Sequence, residues 1–496
     1  MNTYLKNSSI HHSYNRCVTL HGTNQVTVQS NVAYDAIGHC FFLEDGIETK
    51  NVFDQNLGLV TRKPATYLIP SDEFPSTFWI TNPDNTFTGN VAGGSEGFGF
   101  WYDLPEHPTG ASAAAGTNVY PRTTAMGLFK DNTAHSNYAD YRSATGLNVT
   151  NYMLDGVFEN VTSYKNAQKG LWLGCCGEHT ATNARLANNL TGFFGEDATL
   201  LNSLVVGKSD NPDSLSVFTE FSWNGGLVRG MEEYDGWLHA ENVTFANFVG
   251  TGDGSVENQA QYAAAATIHI ASGQSSIDTY FKGVKFLDAQ PVWFQPVTDQ
   301  ATTTSTYVTK DADGSAGGYG QPGFFVNDRP IMTTGECIAH PEGNAHWCPH
   351  RYGYLTITPS QAYSGKFGPL TLVRDDGVSG QVPAWTAANG VPLSMSNPML
   401  NRSYAVQLAT QIQNFRLGLD APSEDWIELS FAYTAPKVYV YNQTTSNVLL
   451  QGTGSLSGLS GSSTPAYFHD TAKGVLHIRT FGSQLAVCTQ QGCPAL

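Results

Sequence analysis

Residues 10–59 read IHHSYNRCVTLHGTNQVTVQSNVAYDAIGHCFFLEDGIETKNVFDQNLGL. The stretch parses as consecutive turns of one coil. Arg16-Cys17-Val18-Thr19-Leu20-His21 lines up with His39-Cys40-Phe41-Phe42-Leu43-Glu44, 23 residues later. Asn31-Val32-Ala33 lines up with Asn51-Val52-Phe53, 20 residues later. Short repeats of β-branched and apolar runs closed by Gly and Asn are the signature of a stacked solenoid. The expected fold is therefore all-β: a right-handed parallel β-helix of the pectate-lyase-like kind.

Stacking states which side chains meet, because adjacent rungs lie about 4.8 Å apart. The alignments predict a column of His12, Tyr34 and Asp54. They also place Arg16 beside His39, Cys17 beside Cys40, and His21 beside Glu44. These polar residues either cap turns at the coil's corners or form a site.

Working outward, the coil continues through Thr77-Phe78-Trp79-Ile80-Thr81 and Phe98-Gly99-Phe100-Trp101-Tyr102. Residues 103–124 then leave it as a long loop, the kind of excursion that often carries function in a solenoid. Asn132, Asn160, Asn183, Asn202 and Asn242 continue the repeat. Asn suits a repeated turn, since it tolerates left-handed backbone and its amide can bond to the Asn above and below. The predicted β-helix spans residues 1–295, a connecting region with a disulfide loop 296–350, and a β-sandwich-like domain 351–496. Short alternating strands such as Tyr354-Leu355-Thr356-Ile357-Thr358 support the last. Within it, Gly452–Gly461 reads as a mobile Gly/Ser loop.

Charged residues are sparse and the formal net charge is −17. This excludes nucleic acid and an anionic membrane surface as partners. It also requires a local basic groove or a bound cation if a polyanionic polysaccharide is to bind. Cys337 with Cys348 and Cys488 with Cys493 are spaced for local disulfides, hence an extracellular compartment. Cys17 and Cys40 are either a third pair or stacked thiols, and the vicinal Cys175-Cys176 is ambiguous. Sequons occur at Asn7, Asn148, Asn160, Asn189, Asn242, Asn401 and Asn442, with Asn160 and Asn242 expected at buried ladder positions. No signal peptide and no membrane span is legible. The chain starts straight into a rung, so a leader and further N-terminal sequence are expected to precede it. A monomer is expected.

HGTN at 21–24, YDAIGHCFFLEDGIE at 34–48 and NVFDQNLGL at 51–59 closely resemble the β-helix segment of the cell-surface hyaluronidase and fibrocystin-L family. Residues 76–110 look most like the fibrocystin-L branch. YDGWLHAENVTF at 234–245 and DADGSAGG at 311–318 look like the hyaluronidase branch. The resemblance implies an extracellular β-helix, a β-rich C-terminal region and a link to hyaluronan for one branch. It also implies that family members carry further modules before this segment, to which hyaluronan degradation is tied. No family catalytic residue therefore transfers to this chain.

Two functions follow as expectations. The first is a polysaccharide-degrading enzyme, a hyaluronidase-like glycoside hydrolase. Glycan cleavage needs paired carboxylates, or a base with a cation that neutralises the uronate. Glu44 and Asp45 are adjacent, so on a strand they point to opposite faces. The catalytic candidates are therefore Glu44 with His21, and Asp35 or Asp54 beside Tyr34. Arg16 and His39 are candidates to meet a uronate, with Tyr34 beside them, and Trp79, Trp101 and Tyr102 to stack on sugar. The second function is a non-catalytic glycan-binding or adhesion module. Metal binding by His11, His12, His21 and His39 matches no compact motif, which leaves His11 and His12 as weak candidates, and calcium is the one cofactor left open. Asp311-Ala312-Asp313-Gly314-Ser315 alternates carboxylates before Gly as a calcium loop does, but lacks the downstream Glu and reads as a plain Asp-Gly turn. Cys40-Phe41-Phe42-Leu43 is apolar throughout, so something is expected to cover it: the C-terminal domain, or the loop 103–124.

Overall fold

The computed structural model describes residues 3–138, 145–150, 153–174, 177–209, 228–233, 236–248, 262–267, 276–294, 305–360, 367–382, 384–386, 392–444 and 446–493. The pair Cys175-Cys176 lies outside the described residues. The chain divides into two compact units. One is Met1–Ile268 with Tyr280–Trp293, and the other is His269–Thr279 with Phe294–Leu496.

The first unit is a parallel β-helix. Each coil contributes one strand to each of three sheets, and every strand pairs in parallel with its counterpart one coil away. One sheet begins with Tyr4–Lys6, Thr27–Gln29 and Val52–Asp54. A second begins with Ser9–Ser13, Val32–Ile37 and Leu57–Arg62. The third begins with Val18–Leu20, Phe41–Leu43, Ser76–Ile80 and Phe98–Asp103. Inward-facing aromatic rings stack coil upon coil, Phe41 on Phe78 at 4.7 Å and Phe78 on Phe100 at 4.6 Å between centroids.

A file of buried asparagines runs along one corner. The Asn31 N–H and amide both donate to Asn56 Oδ1, Asn56 does the same to Asn90, and Asn90 to Asn132. Each amide also donates to a backbone carbonyl, as Asn90 does to Phe53 at 2.8 Å. The residue before each interior Asn takes left-handed backbone: Ser30, Gln55, Gly89 and Asp131. Where Val161, Ala184, Ser203 and Val243 replace the interior Asn, the left-handed position itself is Asn, at 160, 183, 202 and 242.

This geometry corrects two predicted alignments. Asn51 is not equivalent to Asn31: it belongs to another corner, where it accepts from Val26 N–H and donates to Asn85. Two corners per coil carry Asn before a Val-apolar or Leu-apolar strand, and the 20-residue spacing matched one corner to the other. The coil step here is 25 residues, from Asn31 to Asn56. Likewise Tyr34 stacks with His11 and Leu59, not with His12 and Asp54. Asp54 lies on a different sheet, between Gln29 and Thr88. Asn160 and Asn242 are outward corner residues rather than buried ones, whereas the sequon residues Asn148 and Asn189 are buried.

The second unit holds four antiparallel strands, Val308–Asp311, Gly323–Asn327, Ala345–Cys348 and Ile338–His340 in that spatial order, within the segment expected as a connector. Two further sheets, one of seven and one of six strands, share a core that includes Leu355, Leu372, Leu417, Leu429, Ile478 and Val487. The Gly/Ser segment predicted as a mobile loop carries a short helix, Leu456–Ser460. Its cap is Ser455, and Leu459 is buried. Asp311 is buried, and its carboxylate accepts from Ala316 N–H, Gly317 N–H and Trp347 Nε1–H, which fits a turn. Cys17–Cys40, Cys337–Cys348 and Cys488–Cys493 are disulfides.

The asparagine file predicts that Asn90→Ala destabilises the protein by roughly 2–4 kcal/mol, since it strands several buried partners at about 1–3 kcal/mol each. Urea denaturation should show the lower midpoint, while Asn202→Ala at the exposed corner costs less. Equal midpoints for Asn90→Ala and the parent protein would contradict the packing described.

Candidate functional site

The site begins with strand register. Val18 pairs with Phe41, Thr19 with Phe42 and Leu20 with Leu43, and the Cys17–Cys40 disulfide pins the two coils just upstream. The next residue on each strand is polar, so His21 and Glu44 meet: His21 Nδ1 lies 2.9 Å from Glu44 Oε2. Asp45 also reaches the same nitrogen, at 3.5 Å. The expectation that Glu44 and Asp45 point to opposite faces fails because the strand ends at Leu43. The chain bends there through Gly46, whose φ of +90° favours glycine.

His21 and Glu44 are half exposed, with side chains 51% and 38% accessible, whereas Asp45 is buried at 6%. Asp45 is held by the loop 103–124. Its Oδ2 accepts from Ser112 N–H at 3.2 Å and Ser112 Oγ–H at 2.9 Å, and its carbonyl accepts from Thr109 N–H. That loop is therefore fastened to the turn that follows the strand Phe41–Leu43, all of which is buried. Beneath, Glu48 is fully buried and accepts from the backbone N–H of Gly22, Asp45 and Gly46. Glu48 follows the strand in a turn, where no sequence periodicity marks it.

A groove of about 630 Å³ opens beside this cluster, lined by Arg16, Glu44, Asp45, Trp79, Asp103 and Arg122 among others. Arg16 is not free for a substrate carboxylate. Its guanidinium donates to Asp72 at 2.6 Å and lies over the Phe42 ring, 4.2 Å from the centroid. Burial raises the Asp72 carboxyl, but the Arg16 bond and charge, with His39 and Ile69 N–H, outweigh it and hold Asp72 below its ordinary value. Arg122 Nε–H donates to the Leu104 carbonyl.

The other predicted residues fall elsewhere. His39 is fully buried, so it cannot contact a substrate as it stands. It shares a hydrogen bond with Ser71 Oγ through Nε2, accepts from Ser76 N–H at Nδ1, and packs on Trp79 with ring centroids 4.3 Å apart. It meets Arg16 through Asp72, 3.6 Å away. Tyr102 is fully buried in the helix core, and burial pushes its hydroxyl well above the ordinary range. Both were candidates for sugar contact, and both follow from strands whose two faces are covered. Trp101 is half-buried and meets Trp79 edge-on. Asp35 pairs with Arg62 at 2.7 Å and with His12 at 3.8 Å. Asp54 accepts from Gln29 and Thr88. Tyr34, His11 and His12 sit on the outer side of the second sheet, where the two imidazoles share a hydrogen bond at 2.9 Å. Neither Asp35 nor Asp54 joins the His21 cluster.

Residues 1–141 match the family model described as CEMIP beta-helix. The human cell migration-inducing and hyaluronan-binding protein is 26% identical, covering 99% of this chain and 43% of the relative. Human cell surface hyaluronidase CEMIP2 is 24% identical, covering 99% of this chain and 42% of the relative. Mouse fibrocystin-L is 32% identical over 50% of this chain and 6% of its own length. The chain thus spans about two-fifths of the first two relatives. The His21–Glu44–Asp45 cluster and the residues that line its groove, Arg122 included, fall within residues 1–141, the segment that matches that model.

His39 generates a pH prediction. Burial, then the Arg16 charge, push its pKa from 6.5 to about 3, against the opposing pull of Asp72. An unfolded histidine takes up its proton near 6.5, so the unfolded chain binds the proton first. The stabilising contribution is full above pH 6.5 and is lost progressively as pH falls toward 3. Buried His179, lowered to about 4, adds a smaller share in the same direction. Urea midpoints measured at neutral and mildly acid pH should therefore diverge less for His39→Gln than for the parent protein. Identical divergence in both would remove His39 as the cause.

Proposed function

We propose that this chain is an extracellular polysaccharide-active β-helix whose substrate is a hyaluronan-like glycosaminoglycan, bound in the groove beside His21 and Glu44. One observation carries the reading: an exposed carboxylate lies 2.9 Å from an imidazole at the edge of a groove of about 630 Å³. The relatives named for hyaluronan binding or hyaluronidase activity supply the substrate class. Glycoside cleavage needs a proton delivered to the leaving oxygen and stabilisation of an oxocarbenium-like transition state. Glu44 is the accessible group for the proton, His21 is its partner, and buried Asp45 holds fixed negative charge beside them. Arg122 is assigned to the substrate carboxylate, and Trp79 forms groove wall rather than a stacking platform, being only 5% exposed. Three disulfides support an oxidising, extracellular compartment. Among the described residues no helix is long and apolar enough to cross a membrane.

A non-catalytic glycan-binding role is the second reading, favoured by the burial of His39 and Tyr102 and by the pairing of Arg16 with Asp72. Incubating purified protein with high-molar-mass hyaluronan and with a neutral glycan, then sizing the products, separates the two. The proposal expects cleavage of hyaluronan, reduced about 100-fold or more in Glu44→Gln and in His21→Ala. Both variants should keep the parent melting temperature to within a few degrees, because the two side chains are half exposed. Binding without product would establish the second reading, and full activity in both variants would remove these residues from the chemistry.

A further inference from the structure

The groove has a charge problem that the proposed substrate makes acute. Glu44, Asp45 and Asp103 line it against two cations, Arg122 and an Arg16 already committed to Asp72. A uronate polymer would meet an excess of like charge there, and like charges in a half-enclosed site cost binding energy. A cation held among those carboxylates removes the conflict.

We infer that His21, Glu44 and Asp45 form a binding site for a divalent first-row metal ion of the zinc class. One nitrogen and one carboxylate oxygen from each acid lie within 4.8 Å of one another. The separations from His21 Nδ1, 2.9 Å to Glu44 and 3.5 Å to Asp45, suit three ligands around one ion about 2.0–2.2 Å from each. Imidazole with two carboxylates is a borderline donor set, suited to zinc and its neighbours. Calcium instead takes six to eight oxygens, which this cluster does not offer. The exposure of His21 and Glu44 leaves room for water or a substrate oxygen to complete the coordination.

Independent features point the same way. The Asp45 oxygen nearest His21 is Oδ2, which also accepts both Ser112 hydrogen bonds and is fixed in direction by them. Space beside Oδ1 depends on Gly110, where a Cβ would sit 2.3 Å from that oxygen, and whose φ of +55° also favours glycine. Metal-binding carboxylates are commonly oriented by outer hydrogen bonds of the kind Ser112 supplies. The Cys17–Cys40 disulfide and the Val18–Leu20 register hold the coil that presents His21 against the coil that presents the acids.

The inference rests on the same groove as the proposed function and reassigns Glu44 and His21: as ligands they would hold the ion, and a water on it would supply the proton, so the test reads metal binding rather than activity. The full chain, stripped with EDTA and dialysed, is titrated calorimetrically with zinc chloride. The expected result is one ion per chain. His21→Ala and Glu44→Gln should weaken binding at least about tenfold, and Ser112→Ala by roughly tenfold through loss of Asp45 orientation. His12→Ala, on the second sheet, should leave binding unchanged. Calcium chloride should fail to displace zinc. The site is overturned if zinc binding is absent, if it survives undiminished in His21→Ala and Glu44→Gln, or if His12→Ala weakens it equally. Displacement by calcium would overturn the assigned ion class. Zinc binding with no polysaccharide cleavage sinks the proposed activity and leaves the ion site. Cleavage by protein that binds no zinc sinks the ion site alone.

Discussion

The fold depends on keeping buried polar groups satisfied while successive coils stack. Each coil must turn three corners, and a corner that faces inward carries backbone groups into the core, where an unmet hydrogen bond costs about 1–3 kcal/mol. The file from Asn31 to Asn132 meets that demand, since each amide bonds to the next coil and to a backbone carbonyl. The same amides fix the register of neighbouring coils. Register in turn decides which polar side chains become neighbours at the ends of the strands. The site is therefore a consequence of the corners, reached through Cys17–Cys40 and the paired strands between them.

The parts of this arrangement that were legible in the sequence share one property. Arg16–His21 and His39–Glu44 match at a cysteine, three apolar residues and a polar end, so the alignment admitted one register, and His21 does meet Glu44. The Asn31 and Asn51 alignment rested on three residues that any of several corners can carry, and it matched two different corners. The column of His12, Tyr34 and Asp54 failed for the same reason. Asp45 and Glu48 were missed as neighbours of His21 and Gly22 because strand alternation stops at Leu43, and a turn has no periodicity to read. Asp72, which occupies Arg16 and borders His39, sits in a short 3-10 helix between rungs where nothing in the repeat announces it.

Burial separates structural from functional polar residues in this region. His39, Asp72 and Glu48 are buried and bonded on several sides, and none of them lines the groove. His21 and Glu44 differ, being positioned by the same coils yet open to solvent. A second groove of about 780 Å³ follows the outward corner from Asn160 to Asn242. Its amides bond to neighbours in the same column, Asn160 to Asp131 and Asn242 to Asn202, which fits a corner brace.

Hydrogen–deuterium exchange of the full chain with and without hyaluronan oligosaccharides tests most directly whether the groove beside His21 is where a polysaccharide binds. The account predicts added protection in peptides spanning residues 41–48, 79–81 and 103–112, which border that groove. Protection confined instead to the Asn160–Asn242 corner, or to the strands between Tyr354 and Cys488, would contradict it.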